Sequence, residues 1–217
     1  LIPAKNEAES LPIVLDELKK HNYKINIILH ITDLDTIQVI KKYDINIIYQ
    51  KNLGYGDALI HGIKQCKTKY FCIFNADGSF NPSEINQMLK TLQSKKLDFI
   101  FASRYQTNSG SDDDTILTLV GNYIFTYIGK IFFNLNISDI LYTFIIGKTE
   151  QAKKLHLNQK DFSFCVELPI KAKKMRMELG CINSHERKRI AGKKKVNAFK
   201  DGFLILKHMI RLFFMKP

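Results

Sequence analysis

Asn75-Ala76-Asp77-Gly78-Ser79-Phe80-Asn81-Pro82-Ser83-Glu84 joins two segments of opposite character. Upstream, residues 70–74 form a short apolar run that reads as a buried strand; downstream, Pro82 opens a run of helix formers. A polar loop at the carboxyl end of a buried strand is where open α/β sheets bind ligands. Asn75, Asp77 and Ser79 offer oxygens at alternate positions, the hard-donor chemistry that suits Mg²⁺ or Mn²⁺. The same residues would also serve a strand-to-helix turn in which Asn and Asp cap backbone groups. Taken alone, the loop leaves both readings open.

Working outward, strands and helices alternate. Leu11, Val14, Leu15 and Leu18 recur at helical spacing, with Ser10 as N-cap and Pro12 in the first turn. Strands are expected over residues 25–31, 45–49 and 98–103, and a helix over 36–43. Asn52-Leu53-Gly54-Tyr55-Gly56 is a turn leading into a helix over 57–66. Such alternation predicts a mainly parallel sheet flanked by helices. Beyond Tyr105 comes a polar loop ending in Asp112-Asp113-Asp114, then an apolar helix to about Asn134. A strand over 141–146, a helix over 164–174, a short strand over 180–183, a basic loop over 187–195 and a terminal helix from about Asn197 complete the chain.

Composition narrows the function. The chain has 217 residues, enough for one sizeable core, and 45% apolar with 25% charged content argues against disorder. A net charge of +12 calls for an anionic partner: nucleic acid, anionic lipid or a phosphorylated substrate. No aromatic-studded basic strand or recognition-helix pattern supports nucleic acid. Cys66, Cys72, Cys165 and Cys181 lack C-x-x-C spacing, so they read as reduced core thiols and not as zinc ligands. No signal peptide is visible, and Leu1-Ile2-Pro3 reads as the end of a strand that begins upstream. The longest uncharged stretch, residues 115–129, contains Asn122; it reads as too short to span a bilayer and as a buried or interfacial helix.

Four more segments fall in order with the Asp77 loop: Pro3-Ala4-Lys5-Asn6-Glu7-Ala8-Glu9, Ala102-Ser103-Arg104-Tyr105, Ser138-Asp139-Ile140, and Arg189 to Lys195 with its Arg-x-x-Gly-x-x-Lys core. Together they resemble the inverting nucleotide-sugar glycosyltransferases that include dolichol-phosphate mannose synthase and related polyprenyl-phosphate sugar transferases. The resemblance runs from Leu1 to about Gly202. It implies a single GT-A-like α/β domain over 1–196, with a nucleotide part over about 1–105 and an acceptor part over about 106–196. A basic amphipathic helix over 197–217 follows.

The resemblance also implies roles. Pro3, Asn6 and Glu7 would lie under the base and ribose, with Lys5 where an aromatic residue is common. Gly54, Asn75 and Ala76 would join them. The usual second acidic pair is replaced by residues 30–36, where Asp33 is the candidate acid. Gly54 and Gly56 lack the third glycine of a dinucleotide fingerprint, which argues against a Rossmann dehydrogenase; Gly56 reads as a turn residue. The metal ligands would be Asn75, Asp77 and Ser79. Asn75 stands where an aspartate is usual, so Mg²⁺ or Mn²⁺ binding is expected to be weaker and centred on Asp77. Asp77, Asp139, Arg104 and Arg189 are the candidate catalytic residues, with Arg189 and Lys195 holding an acceptor phosphate. Asp139 is a base for a hydroxyl or an orienting carboxylate, and Glu167 a buried carboxylate paired with a nearby base.

The function implied is transfer of a hexose from GDP- or UDP-sugar to polyprenyl phosphate. A phosphate with a second pKa near about 6 needs no strong base. A glycan or lipid-linked saccharide hydroxyl is the alternative acceptor, and a catalytically silent binder the third reading. On the terminal helix, Phe203, Leu206, Ile210 and Phe213 share one face amid Lys200, Lys207, His208 and Arg211. Such a helix lies in an anionic membrane interface or closes the core. The first option makes the protein cytoplasmic and peripheral at the inner face of the membrane.

Overall fold

The computed structural model describes residues 1–192 and 194–215. The first half contains β1 (Ile2–Pro3), α1 (Leu11–Leu18), β2 (Asn26–His30), α2 (Leu34–Ile40), β3 (Asn46–Gln50), α3 (Tyr55–Gln65), β4 (Tyr70–Ile73), α4 (Glu84–Ser94) and β5 (Phe99–Ser103). The second contains β6 (Gly110–Ser111), α5 (Ile116–Phe133), β7 (Ile145–Lys148), α6 (Thr149–Lys154), α7 (Phe164–Lys174), β8 (Leu179–Asn183), β9 (His185–Glu186) and α8 (Ala198–Phe214).

β1, β2 and β3 pair in parallel, with Ile27 opposite both Ile2 and Ile47. A second group runs β4-β7-β5-β8, in which β7 is antiparallel to its neighbours and β8 parallel to β5. Hydrogen bonds from Leu1 N to Cys72 O (2.7 Å) and from Phe74 N to Leu1 O (3.0 Å) join the groups. The resulting order is β3-β2-β1-β4-β7-β5-β8. β5 is buried throughout, and apolar up to Ser103, because helices cover both faces. Its alternation divides the core: Phe99 and Phe101 face the side of α3, α7 and α8, while Ile100 and Ala102 face that of α1 and α4.

Three local expectations change. Ser10 does not cap α1; its hydroxyl donates to Glu7 Oε2 at 2.7 Å. The strand expected over 141–146 forms only from Ile145. Before it, Leu141, Tyr142 and Thr143 line the cavity described below, and Phe144 O accepts from the Ala102 amide of β5 at 2.9 Å. α5 is longer than its uncharged stretch, at 18 residues capped by Thr115 and Thr118. By length and composition it could cross a membrane, yet it packs against α7 and α8, burying Asn122, Gly129 and Phe133. α8 in turn packs on α5 and α7.

Candidate active site

A cavity of about 550 Å³ opens at the carboxyl ends of β1, β2, β4 and β5. Pro3, Asn6, Glu7, Asp33, Gly54, Asn75, Ala76, Asp77, Arg104, Arg189 and Lys195 all line it. Asp139 and Ser79 do not.

At one end, the chain leaving β1 turns back at Asn6, whose φ is +53°. The Asn6 amide donates to Asp33 Oδ2 at 2.7 Å and the Glu7 amide to Thr36 Oγ1 at 2.9 Å, tying the β1 and β2 loops together. The Lys195 ammonium, expected to hold an acceptor phosphate, contacts Glu7 Oε1 and Lys5 O at this end of the cavity. On the floor, Tyr55 shares a 2.6 Å hydrogen bond with Thr143 and lies 3.5 Å from Asn75 Oδ1. Burial holds its phenol protonated.

In the central loop, Ser79 departs from its expected place as a ligand. Gly78, at φ +81°, reverses the chain, and Ser79 then donates to Asp77 Oδ1 through both its amide (3.0 Å) and its hydroxyl (2.7 Å). Ser79 is 1% exposed. Asp77 Oδ2 remains, 3.4 Å from Arg189 Nη1. Among the described residues no group of three or more His, Cys, Asp or Glu is arranged for a metal. One carboxylate with an adjacent amide oxygen fits Mg²⁺ or Mn²⁺ only if substrate phosphates and water complete the shell, a common habit of Mg²⁺.

The basic segment is not a solvated run. The Arg187 amide donates to Ser79 O and the Ile190 amide to Asp77 O, both at 2.8 Å, laying the segment across the loop. Arg187 forks onto Glu17 (3.1 and 2.8 Å), and Arg189 Nη2 lies 2.9 Å from Asp113 Oδ2. Burial alone would raise the Asp113 pKa, but Arg189 and Lys194 outweigh it and hold the carboxyl below its ordinary value.

At the far end, Arg104 is enclosed by carboxylates: Asp139 at 2.8 Å, Glu186 at 3.0 Å and Asp114 at 3.4 Å. Its guanidinium also stacks over Tyr142, 4.6 Å from the ring centre. Asp139 is fully buried and accepts from the Arg104 amide and side chain and from Asn122 Nδ2 at 2.6 Å. Its oxygens are thus occupied, and it orients Arg104 from behind the cavity wall, out of place for a base. Glu186 is raised by burial, with Arg104 and Ser111 opposing. Sequence reading missed Tyr55, Asp113, Asp114, Asn122, Thr143 and Glu186. Only the Asp112-Asp113-Asp114 run carried a signal, and it read as loop.

The frame fixes the class: an α/β fold of the GT-A kind, the architecture of nucleotide-sugar glycosyltransferases. The chain belongs to glycosyl transferase family 2, whose sequence profile matches residues 1–155. It is 26% identical over 186 residues to an uncharacterized protein of Methanocaldococcus jannaschii, covering 82% of this chain and 76% of that protein. It is 24% identical over 204 residues to the UDP-N-acetylglucosamine–dolichyl-phosphate N-acetylglucosaminyltransferase of Methanococcus voltae, covering 83% and 81%. Among solved structures, glucosyl-3-phosphoglycerate synthase of Mycobacterium tuberculosis, in complex with Mn²⁺, UDP and phosphoglyceric acid, superposes with a TM-score of 0.76 at 10% identity. That match covers 100% of this chain and 78% of the synthase. Mannosyl-3-phosphoglycerate synthase of Rubrobacter xylanophilus gives 0.65 at 13%, covering 97% and 71%. At those identities the likeness is one of fold.

Proposed function

We propose that this glycosyltransferase moves a hexose from a GDP- or UDP-sugar to polyprenyl phosphate, with inversion, at the cytoplasmic face of a membrane. The observation that carries the reading is the course of the cavity. It runs from the Asp77 loop to Thr118 and Asn122 on α5, beside the exposed Ile116, Leu117, Val120 and Tyr123. A lipid-borne acceptor entering there meets apolar surface outside and arginines within. The dolichyl-phosphate acceptor of the M. voltae relative supports the same choice.

In this reading Glu7, Asp33 and Gly54 hold the nucleotide, and Asp77 with Asn75 holds Mg²⁺ or Mn²⁺ against the diphosphate. When bound, the ion would stabilise the leaving charge as a Lewis acid. Arg189, between Asp77 and Asp113, turns to the same phosphates. Arg104, fixed by Asp139, faces the acceptor. A dianionic phosphate attacks without a general base.

One observation favours a second reading, a lipid-linked saccharide hydroxyl as acceptor. Asp114 and Glu186 crowd Arg104 at the acceptor end, and a carboxylate there would take a hydroxyl proton. The test is donor consumption with Mn²⁺. Stimulation by polyprenyl phosphate and not by saccharides is expected; stimulation by saccharides alone would replace the first reading with the second. Binding of no nucleotide sugar in a calorimetric screen would remove both.

A further inference from the structure

Residues 156–162 support the glycine turn of the nucleotide end from behind, and one pair of side chains on α7 holds them. Glu167 is fully buried. Its carboxylate accepts from the Asn158 amide at 3.1 and 3.0 Å and from the Gln159 amide at 2.9 Å. Lys171, one turn on, lies 2.7 Å from Glu167 Oε1 and donates to His156 O at 2.9 Å. The backbone that follows presses on the turn. Lys160 O accepts from the Asp57 amide at 3.0 Å. A Cβ on Gly54 would lie 2.2 Å from Lys160 O, and one on Gly56 would lie 2.1 Å from Gln159 O. Both positions therefore require glycine because of this loop. Phe162 then stacks on Tyr55 with ring centres 5.0 Å apart, and both rings line the cavity.

α8 covers this pair. Its inward residues are Ile205, His208, Met209 and Leu212, and His208 Nε2 is buried without a hydrogen-bond partner among the described residues. The imidazole lies within electrostatic reach of Glu167 and Asp161 and of Lys171 and Arg211. A fully hydrogen-bonded ion pair is secure while dry, and losing either member leaves an uncompensated buried charge.

We propose that Glu167 and Lys171 are positioning residues for the nucleotide donor, and that the inward face of α8 keeps them seated, so that the docking of α8 sets donor affinity. The inference rests on reading the Gly54 end as the nucleotide site. A helix whose outer face meets lipid and whose inner face steadies the donor turn would tie membrane contact to substrate binding.

The test titrates the full chain by calorimetry with UDP and with GDP, each with Mn²⁺. Wild-type binding of either nucleotide tests the site reading itself. Glu167→Gln and Lys171→Met should then raise the nucleotide Kd by about tenfold or more. Lys171→Arg, which keeps the cation, should recover most of the affinity, and acceptor KM should stay unmoved. His208→Lys, which sets a permanent charge against Lys171 and Arg211, should weaken nucleotide binding in the same direction. Hydrogen exchange at the Asp57, Asn158 and Gln159 amides, measured without ligand, should quicken together in the two α7 variants. Folded Glu167→Gln with wild-type affinity would overturn the proposal. So would wild-type exchange at Asp57 in both variants, whether or not any nucleotide binds.

Discussion

Asp77 has one carboxylate oxygen engaged by Ser79 and the other turned to the cavity and Arg189. It is the sole acid of its loop. Asp77→Ala should therefore abolish metal-dependent nucleotide binding and reduce transfer by about a hundredfold or more. Asn75→Asp adds a second charge beside it and should tighten Mn²⁺ binding. Full activity of Asp77→Ala in excess EDTA would take the metal out of the mechanism. The ligand role expected for Ser79 failed for a local reason: alternate spacing assumes an extended loop, and the turn at Gly78 folds Ser79 back onto Asp77. Arg104 carries a structural prediction as well. Its removal leaves Asp139 buried with the residue-104 amide and Asn122 but no cation, so Arg104→Ala should destabilise the fold by about 3–5 kcal/mol. A thermal melt unchanged from wild type would show that Asp139 needs no cation.

At the scale of elements, α8 shows what periodicity can and cannot decide. The stripe of Phe203, Leu206, Ile210 and Phe213 was legible, but the helix has a second apolar stripe, and it is this one, Ile205, Met209 and Leu212, that meets the core. A helix apolar on two sides gives no sequence rule for which side turns inward. His208 faces in, so it does not belong with the basic groups of the outer face. Burial lowers its pKa below the ordinary histidine value; Glu167 and Asp161 oppose this, and Lys171 and Arg211 add to it. The docked helix thus favours a neutral imidazole. The undocked state binds the proton more readily, so docking is unpenalised above about pH 6.5 and weakens as pH falls below that. Protection of α8 amides from hydrogen exchange should drop between about pH 7.5 and about pH 5, and His208→Leu should remove the dependence. Protection that is flat across this range would show that His208 is not the sensitive group. The strand expected over 141–146 was misjudged for a different reason. An apolar run can be buried by side-chain duties, here Tyr142 under Arg104 and Thr143 on Tyr55, without joining a ladder.

Over the whole molecule, the parallel βα alternation and the lining of the cavity by the β1, β2 and β4 loops were legible because their signals are local in sequence. The far end of the cavity was not. Arg104 meets Glu186 across a separation of 82 residues and Arg189 meets Asp113 across 76, pairings no local pattern encodes. The net charge of +12 also reads differently once these pairs are drawn, because Arg104, Arg187 and Arg189 are spent inside the fold. Exposed positive charge remains at Lys200, Lys207 and Arg211 on α8 and at Lys130 on α5. The same two packed helices expose apolar side chains, Tyr123, Ile124, Tyr127, Ile131 and Phe132 from α5 and Phe203, Ile210, Phe213 and Phe214 from α8, with Phe132 edge-on to Phe213 at 5.8 Å. Exposed apolar patches of this kind mark interaction sites. Anionic lipid attracts each nearby basic side chain by roughly 1 kcal/mol, so this group contributes several kcal/mol before any ring inserts. Co-sedimentation with vesicles should require anionic lipid and decline as salt rises. Cutting the chain at α8 would expose Ile205, Met209 and Leu212 and confuse the result, so the informative changes are on the outer face. Phe203→Glu with Ile210→Glu should release the protein from vesicles while leaving its melting temperature near wild type, and Tyr127→Glu on α5 should act in the same direction. Binding that survives all three substitutions would move the membrane contact to another face of the protein.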